Sequence, residues 1–390
     1  GLRWDITSIY FTGAYTDSEL ATYGYSRDHR PDTKQVNLEV DVTHDGYVPL
    51  LYRVLPGNTA DISRPLPHLR ALLHFLARPE LADRRLRPIL VSDCKMVTPE
   101  AVLACHRHDL FYLGPLPEGT ATEALLRSVS AEELAAQPLA YRPQRVKPAE
   151  PSFVPYQGVG RSCTFEHAGQ QVSDQALVVW SAGKQRLDEQ KRKTYLKRLL
   201  NGLEYIQKKL NTRRYKKRAY VEQRLAALGQ GNPAKELVDI HLGGADTALQ
   251  LTFRLNRQRL AEVQALDGRY ALATNASHLE AAEALTLFKG QDGVEKRFGV
   301  LKGPLVVHPL FVRTDRRIEG LVFITLLALL VRAIVERGLR QRGLEVTAER
   351  LFQGFATLQA VDVTWADGSI QRQAAEMSIF QAEVLSALGW

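Results

Sequence analysis

Apolar and polar positions alternate along "WDITSIYF" (residues 4–11). Asp5, Thr7, Ile9 and Phe11 fall on one side and Trp4, Ile6, Ser8 and Tyr10 on the other, which predicts a strand. "KQVNLEVDVTHDGYVPLLYRVLPGN" (34–58) holds two further strand-like runs around Asp45-Gly46, a strong hairpin signal. Helical spacing follows at 63–77, where Leu66, Leu69, Leu72 and Leu73 recur on one face. "RPILVSD" (87–93) predicts a strand that ends on an acid. "TPEAVLACHRH" (98–108) predicts a helix with Thr98 as N-cap and Pro99 in its first position, and "LFYLGPL" (110–116) a further strand.

Three strands, a helix, a strand, a helix and a strand form a mixed α/β sheet, in the order expected of a ribonuclease H-like core. The pattern then breaks. Residues 118–150 are rich in Ala, Glu and Pro and read as loop and short helix, and strand-like runs recur at 152–156, 161–166 and 175–180. A basic helical stretch covers 184–228, with Gly202 a candidate interruption, and the turn residues of "GQGNPA" (229–234) end it. Runs at 237–242, 250–256 and 268–275 read as strands, and helical periodicity resumes at 278–302 and 316–340. Within the last, "LVFITLLALLV" (321–331) falls well short of the ~20 apolar residues a bilayer requires, and reads as a buried core helix. The N-terminus shows no signal-peptide pattern. It enters a strand almost at once and without an initiator Met, so a preceding segment is expected.

Charge changes the picture at one place. The 390 residues are 45% hydrophobic and 24% charged, enough for a sizeable core and two or three domains. The net charge is +8, but Lys184–Arg224 alone holds 15 Lys/Arg against 4 Asp/Glu, a balance of +11 that leaves −3 for the remainder. That is the footprint of a polyanionic partner such as nucleic acid, although a solvated helical hairpin has the same composition. The candidates to grip phosphates are Lys191, Arg192, Lys193, Lys197, Arg198, Arg213, Arg214, Lys216, Lys217 and Arg218. Cys94, Cys105 and Cys163 form no CxxC or Cys/His zinc spacing, and so sparse a set of thiols fits a reducing cytoplasm.

Three acids carry the candidate chemistry. Asp5 lies inside the first strand and Asp93 ends the fourth. As neighbours in one sheet, their carboxylates would stand about one strand spacing, ~5 Å, apart. Acids that close repel, and favour a divalent cation between them. "DGVEKRFGVLKG" (292–303) adds Glu295 on a basic amphipathic helix, with Lys302 two turns on and on nearly the same face. Three such carboxylates can hold two Mg²⁺ ions ~3.5–4 Å apart. Each acid also has a plainer reading: Asp93 as a turn or cap, and Glu295 with Lys302 as a solvated ion pair. Only Asp5, inside an apolar strand, is costly to bury unpaired. Elsewhere, His29 and Arg30 occupy a loop that is either a DNA contact or ordinary surface. His308 reads as structural, Asn58 and Asp61 of "PGNTAD" as helix caps, and Asp267 and Asp292 as turn and N-cap residues.

In order and spacing, "WDITSIYF", "GYSRDHRPDTKQVNLEV" (24–40), "YRVLPGNTADI" (52–62), "ILVSD" and "GVEKRFGVLKGPL" resemble the insertion-sequence transposases of the DDE superfamily. The branch is the one with the signature Tyr-x2-Arg-x3-Glu-x6-Lys, and the similarity runs from residue 1 to about 340. The resemblance implies that Asp5, Asp93 and Glu295 are the catalytic, metal-holding acids, that two Mg²⁺ (or Mn²⁺) ions are the cofactors, and that Lys302 contacts a DNA phosphate near the cut. The signature Tyr is Phe288 here and the signature Arg is Gln291, both DNA-facing by the same resemblance. One loses a hydroxyl and the other a charge. Cys94-Lys95 replaces the Arg-Gly that usually follows the second acid.

The implied layout is a ribonuclease H-like α/β core in two parts, 1–116 and 266–345. A large α+β insertion at 117–265 carries the basic segment 184–228, and C-terminal helices follow at 346–390. The implied activity is metal-dependent cleavage at transposon ends and transfer of the freed 3′-hydroxyl into target DNA. It would be carried out by a homodimer or higher multimer, at the nucleoid of a bacterial cytoplasm and away from any membrane. A DNA-binding region would precede Gly1. Two other readings stay open: a ribonuclease H-like nuclease without strand transfer, and an inactive DNA-binding remnant.

Overall fold

The structure, a computed structural model, describes every residue except 29, 83–86, 94, 142–155, 246–247, 304–311, 375–376 and 390. Its strands are β1 (Leu2–Tyr10), β2 (Gln35–Thr43), β3 (Pro49–Pro56), β4 (Ile89–Val91), β5 (Phe111–Pro115), β6 (Pro138–Leu139), β7 (Tyr156–His167), β8 (Gln170–Ser181), β9 (Val238–Ala245), β10 (Ala248–Leu255), β11 (Arg269–Thr274), β12 (Ala360–Thr364) and β13 (Ile370–Ala374). Its α-helices are α1 (Pro65–Leu76), α2 (Pro79–Ala82), α3 (Pro99–Arg107), α4 (Thr120–Arg127), α5 (Ala131–Ala135), α6 (Ala182–Lys209), α7 (Arg218–Gly229), α8 (Arg257–Gln264), α9 (Ala281–Lys289), α10 (Asp292–Lys302), α11 (Asp315–Gln341), α12 (Ala348–Phe355) and α13 (Ile379–Leu388).

One mixed sheet runs in the order β3-β2-β1-β4-β5-β11-β8-β7-β6. β2 is antiparallel to β1 and β3, whereas β4 is parallel to β1 and to β5. The alternation along β1 divides the core between the two faces of this sheet. Leu2, Trp4 and Ile6 pack with Leu69 and Leu72 of α1 and Val102 of α3. Ile9 and Phe11 instead pack with Val294, Phe298 and Leu301 of α10 and with Ile318, Val322, Leu326 and Leu329 of α11. Each such fully buried side chain contributes roughly 1.5–3 kcal/mol, so a register slip of one residue in β1 would expose a core on both sides. α3 starts as its sequence dictates, with Thr98 Oγ1 accepting a hydrogen bond from Ala101 N and Pro99 at the first position.

Residues between 117 and 265 take part in two bodies. The β7–β8 hairpin extends the main sheet, since β11 pairs antiparallel with both β5 and β8. The segment from α6 to α8 forms its own cluster, in which Leu199, Leu203 and Ile206 of α6 and Val221 of α7 pack on Leu249 and Leu251 of β10. Gly202 does not interrupt the basic helix. α6 runs through it, and a Cβ at this position would lie 2.4 Å from Leu228 Cδ1, so the glycine lets α6 approach α7. The break comes at Leu210, whose backbone leaves the helical region, followed by a 3₁₀ turn at Arg213–Lys216.

Two further expectations are corrected. α11 is not a wholly buried helix. Ile318, Val322, Leu326 and Leu329 are buried, while Phe323, Ile324, Leu327, Val331 and Ile334 are exposed. A continuous apolar run necessarily covers every face of a helix, and the core covers one. Among the described residues α11 is the one helix long and apolar enough to cross a membrane by length and composition. The C-terminal region expected to be helical also contains the antiparallel pair β12–β13, turned at Asp367-Gly368, where Gly368 adopts φ +81° and Asp367 Oδ1 accepts from Ser369 N.

α6 is tied to the main sheet by a buried bidentate pair, Arg192 to Asp267 at 2.6 and 2.7 Å, with both side chains only 9% exposed. Breaking such a pair leaves one buried charge without its partner. Asp267→Ala is therefore expected to lower stability by about 3 kcal/mol in urea unfolding, whereas Lys191→Ala, exposed on the same helix, changes it by less than about 0.5 kcal/mol. Equal effects would mean the pair is no clamp.

Candidate active site

The parallel register of β1 and β4 pairs Leu2 with Leu90 and Arg3 with Val91. Continued by two residues, it sets Asp5 level with Asp93. Asp5 Oδ1 accepts from Ile6 N at 2.7 Å, and Asp93 Oδ1 from Lys95 N at 3.1 Å. Both acids line a small cleft with Trp4, Ile6, Arg27, Asp61 and Lys95, whose free space of about 10 Å³ suits a single ion or water.

The helix that carries the third acid is set by the docking of α9 and α10. Arg3, fully buried on β1, donates to Leu287 O at 3.0 Å near the end of α9. Gly290 makes that approach possible, because a Cβ there would lie 2.1 Å from Arg3 Nη2. α10 then lies with Val294, Phe298 and Leu301 inward, and is fastened by Arg297, which bonds Glu336 and Gly46 O, each at 2.8 Å. Glu295 stands beside Val294 on this helix. It is exposed and, among the described residues, has neither an ion-pair nor a hydrogen-bond partner.

The electrostatics of Asp5 report how these groups stand together. Burial pushes its carboxyl up to about 6. The Ile6 N–H opposes this, the Asp93 charge adds to it, Arg27 opposes it, and Glu295 adds a further, smaller push. Two acids from distant parts of the chain thus raise the carboxyl of a third. Among the described residues no three His, Cys, Asp or Glu side chains stand close enough together to ligate one ion as they are. The donor set nevertheless fits a hard divalent cation: the acids offer oxygens only, and their mutual repulsion is what such an ion would relieve.

The remaining expected residues are placed as follows. Lys302 Nζ is held by Asp28 at 2.7 and 2.9 Å. Phe288 is partly buried against a cluster that includes Leu285 and Tyr270, and Lys289 lies over its ring at 5.9 Å. Gln291 precedes α10, its Oε1 buried and without a partner among the described residues. Arg30 pairs with Asp32 in an exposed loop. His29, Cys94 and His308 lie outside the described residues.

Asp61 was expected as a helix cap and is not one. It opens a 3₁₀ turn with no side-chain cap, and its carboxylate receives Arg27 Nη2 at 2.5 Å together with Lys95 Nζ. Asn58 does not cap α1 either; that helix starts at Arg64 without a side-chain cap. The pairing was hidden in the sequence because both partners lie 34 positions away, while a cap explains a pre-helical Asp locally. Asp267, expected to be a turn residue, is the Arg192 partner described above.

The basic segment presents part of its charge. Lys191, Lys197, Arg198, Arg213, Arg214, Lys216 and Lys217 are exposed, and Lys193 is exposed with an i,i+4 partner, Glu189. Arg192 is withdrawn into its buried pair, and Arg218 donates to Leu242 O and Gly244 O. Tyr205, Tyr215 and Tyr220 meet edge to face among these cations, at 6.5 and 5.2 Å between ring centres.

No protein-family model matches the chain, and no curated protein matches it. Among solved structures, it overlays a piggyBac transposase synaptic complex with hairpin DNA at 9% identity and a TM-score of 0.40, covering 90% of this chain and 50% of that one. A pre-cleavage Mos1 transpososome overlays 35% of this chain and 41% of that one, at 19% identity and a TM-score of 0.21. The chain spans about half the length of the piggyBac chain. Both TM-scores are too low to define a shared fold.

The raised Asp5 carboxyl has a consequence with a definite sign. Between pH 3.8 and about 6 the folded protein holds a proton that the unfolded chain has released, so stability falls as pH rises through this window and stays lower above it. The cost is of order 2–3 kcal/mol. In chelator, Asp5→Asn should flatten this part of the stability profile and unfold at a higher temperature than the parent above pH 7. An unchanged profile would place the titration elsewhere.

Proposed function

We propose that the chain is the catalytic part of a DNA transposase of the DDE superfamily, in the insertion-sequence branch. It would cleave transposon ends and join them to target DNA by metal-dependent phosphoryl transfer. One observation carries the reading. Asp5 and Asp93, singled out by a sequence resemblance, stand level on adjacent parallel strands and line one cleft, and α10 carries the third expected acid, Glu295. The strand order β3-β2-β1-β4-β5, with antiparallel β1–β3 and parallel β1, β4 and β5, supports a ribonuclease H-like core formed by residues 1–116 and 266–345. Residues 117–265 would be its insertion.

Asp5, Asp93 and Glu295 are the residues that would hold Mg²⁺ or Mn²⁺. Bound there, the cations would supply charge to activate the attacking oxygen and to stabilise the leaving one. The chain's own groups do the rest. Asp5 releases its proton near neutral pH and becomes a full donor. Lys302 exchanges Asp28 for a phosphate, and the exposed cations of α6, the following turn and α7 hold the DNA backbone. Phe288, near the end of α9, and Gln291, at the start of the helix that carries Glu295, would position rather than charge-pair the strand. The partners are transposon ends and target DNA, bound by a homodimer or higher multimer in a bacterial cytoplasm. A second reading, a DNA-binding remnant, is favoured by the lack of a ready three-acid group among the described residues.

Paired assays on the element's own inverted repeats separate these readings. Glu295→Gln keeps shape and removes charge, so cleavage is expected to vanish while DNA binding changes less than about twofold. Lys302→Ala removes one phosphate contact, of order 1 kcal/mol, so binding weakens modestly and cleavage survives at high enzyme concentration. Cleavage by Glu295→Gln at the parental rate would remove Glu295 from the site. No cleavage by the parent would favour the remnant.

The basic surface makes a separate forecast. Neutralising Lys197, Arg198, Arg213, Arg214, Lys216 and Lys217 should weaken binding to all DNA sequences alike and flatten the dependence of log K on log salt by roughly 0.9 per lost phosphate contact. Neutralising Arg192 should leave that slope alone and destabilise the fold. An unchanged slope in the first set would mark the segment as a solvated face.

A further inference from the structure

Asp61 shares one cleft with two cations, Arg27 and Lys95, and with Asp5 and Asp93. Its Oδ2 accepts Arg27 Nη2 at 2.5 Å and Lys95 Nζ more closely still, while Lys95 Nζ stays 3.9 Å from Asp93 Oδ2, beyond hydrogen-bond range. Lys95 is only two residues from Asp93, and its backbone N–H already binds that carboxylate. Arg27 is near enough to Asp5 for its charge to be felt there. Lys95 therefore has Asp93 as an alternative partner, and Arg27 has Asp5 within the reach of its charge. The Asp61 carboxylate, unused for capping, is only 17% exposed. Burial alone would raise it, but the hydrogen bonds from Lys95 and Arg27 together hold it below the usual carboxylate range, so it is charged at any working pH.

We propose that Asp61 is a positioning residue which draws Lys95 and Arg27 away from Asp93 and Asp5, and so leaves those carboxylates free for divalent cations. The proposal rests on the reading of Asp5 and Asp93 as metal ligands. An ammonium bonded directly to a carboxylate competes with an incoming cation, because one positive charge must be displaced before the other can enter. Without Asp61, Lys95 closes on Asp93 and Arg27 on Asp5, and the cleft neutralises itself.

The test is Mn²⁺ binding to the full chain without DNA, read from the electron spin resonance of free Mn²⁺. Asp61→Asn should weaken binding about tenfold, and adding Lys95→Met to it should restore most of the loss. The loss should persist in about 0.5 M KCl, where interactions beyond a few ångströms are screened but contacts are not. Parental affinity in Asp61→Asn, no recovery in the double variant, or disappearance of the effect in salt would each overturn the proposal. Asp5→Asn distinguishes the two failures. Parental Mn²⁺ binding by Asp5→Asn would overturn the metal reading itself, whereas its loss alongside unaffected Asp61→Asn would overturn only the role of Asp61. Should Asp61→Asn not fold, Arg27→Met with Lys95→Met replaces it: affinity at or above the parent's supports the proposal, and a fall overturns it.

Discussion

The buried guanidinium of Arg3 is the constraint on which the candidate site depends. Taking a charge out of water costs several kcal/mol unless dipoles replace the solvent. Here the Leu287 carbonyl, at the negative end of α9, and the face of the Tyr47 ring at 5.2 Å replace part of it. Because these partners belong to different parts of the chain, satisfying Arg3 fixes the α9–α10 turn against β1. Gly290 is then required by space rather than by backbone conformation. Had α9 docked one turn away, Arg3 would be buried without its carbonyl.

The opposite face of β1 is held by a polar network of the same kind. Glu39 accepts from Trp4 Nε1 and from Arg64, each at 2.9 Å, and His68 stacks on Trp4 at 4.4 Å. Burial, reinforced by Arg53 and Arg64, pushes the His68 imidazole down to about 3, so it is neutral. Burial and the neighbouring Glu39 hold the Asp41 carboxyl well above its usual range. Neutral groups at those two positions let α1 close on the sheet without importing uncompensated charge. β1 is thus anchored on both faces while Asp5 keeps an unneutralised carboxylate, which fits a strand built to present one residue.

Much of this was legible in the sequence, for physical reasons that also mark where legibility ended. The period-two alternation of 4–11 separates the two cores that β1 divides, and Thr98-Pro99 opens α3 where its capping chemistry requires. Both are local rules. Asp5 stood out because an acid in an apolar strand needs a reason. Gly202 was misread because a glycine inside a helix serves close packing as readily as termination, and only Leu228 decides which. Asp61 and Arg192 were assigned local or solvent-facing roles, since their true partners lie 34 and 75 positions away. A charge run shows how many cations a helix carries, not which of them turn inward.

The contact between Arg3 and Leu287 spans 284 positions of the chain. At roughly 5–20 residues per second, a ribosome that has just made the first acid needs on the order of 15–60 s more before α10 exists. Throughout that interval the nascent chain carries Asp5, and later Asp93, without the helix on which Glu295 stands. A polypeptide that is stalled or truncated anywhere in the first two thirds therefore buries no Arg3 against the Leu287 carbonyl. The contact that closes the fold is thus among the last that synthesis allows.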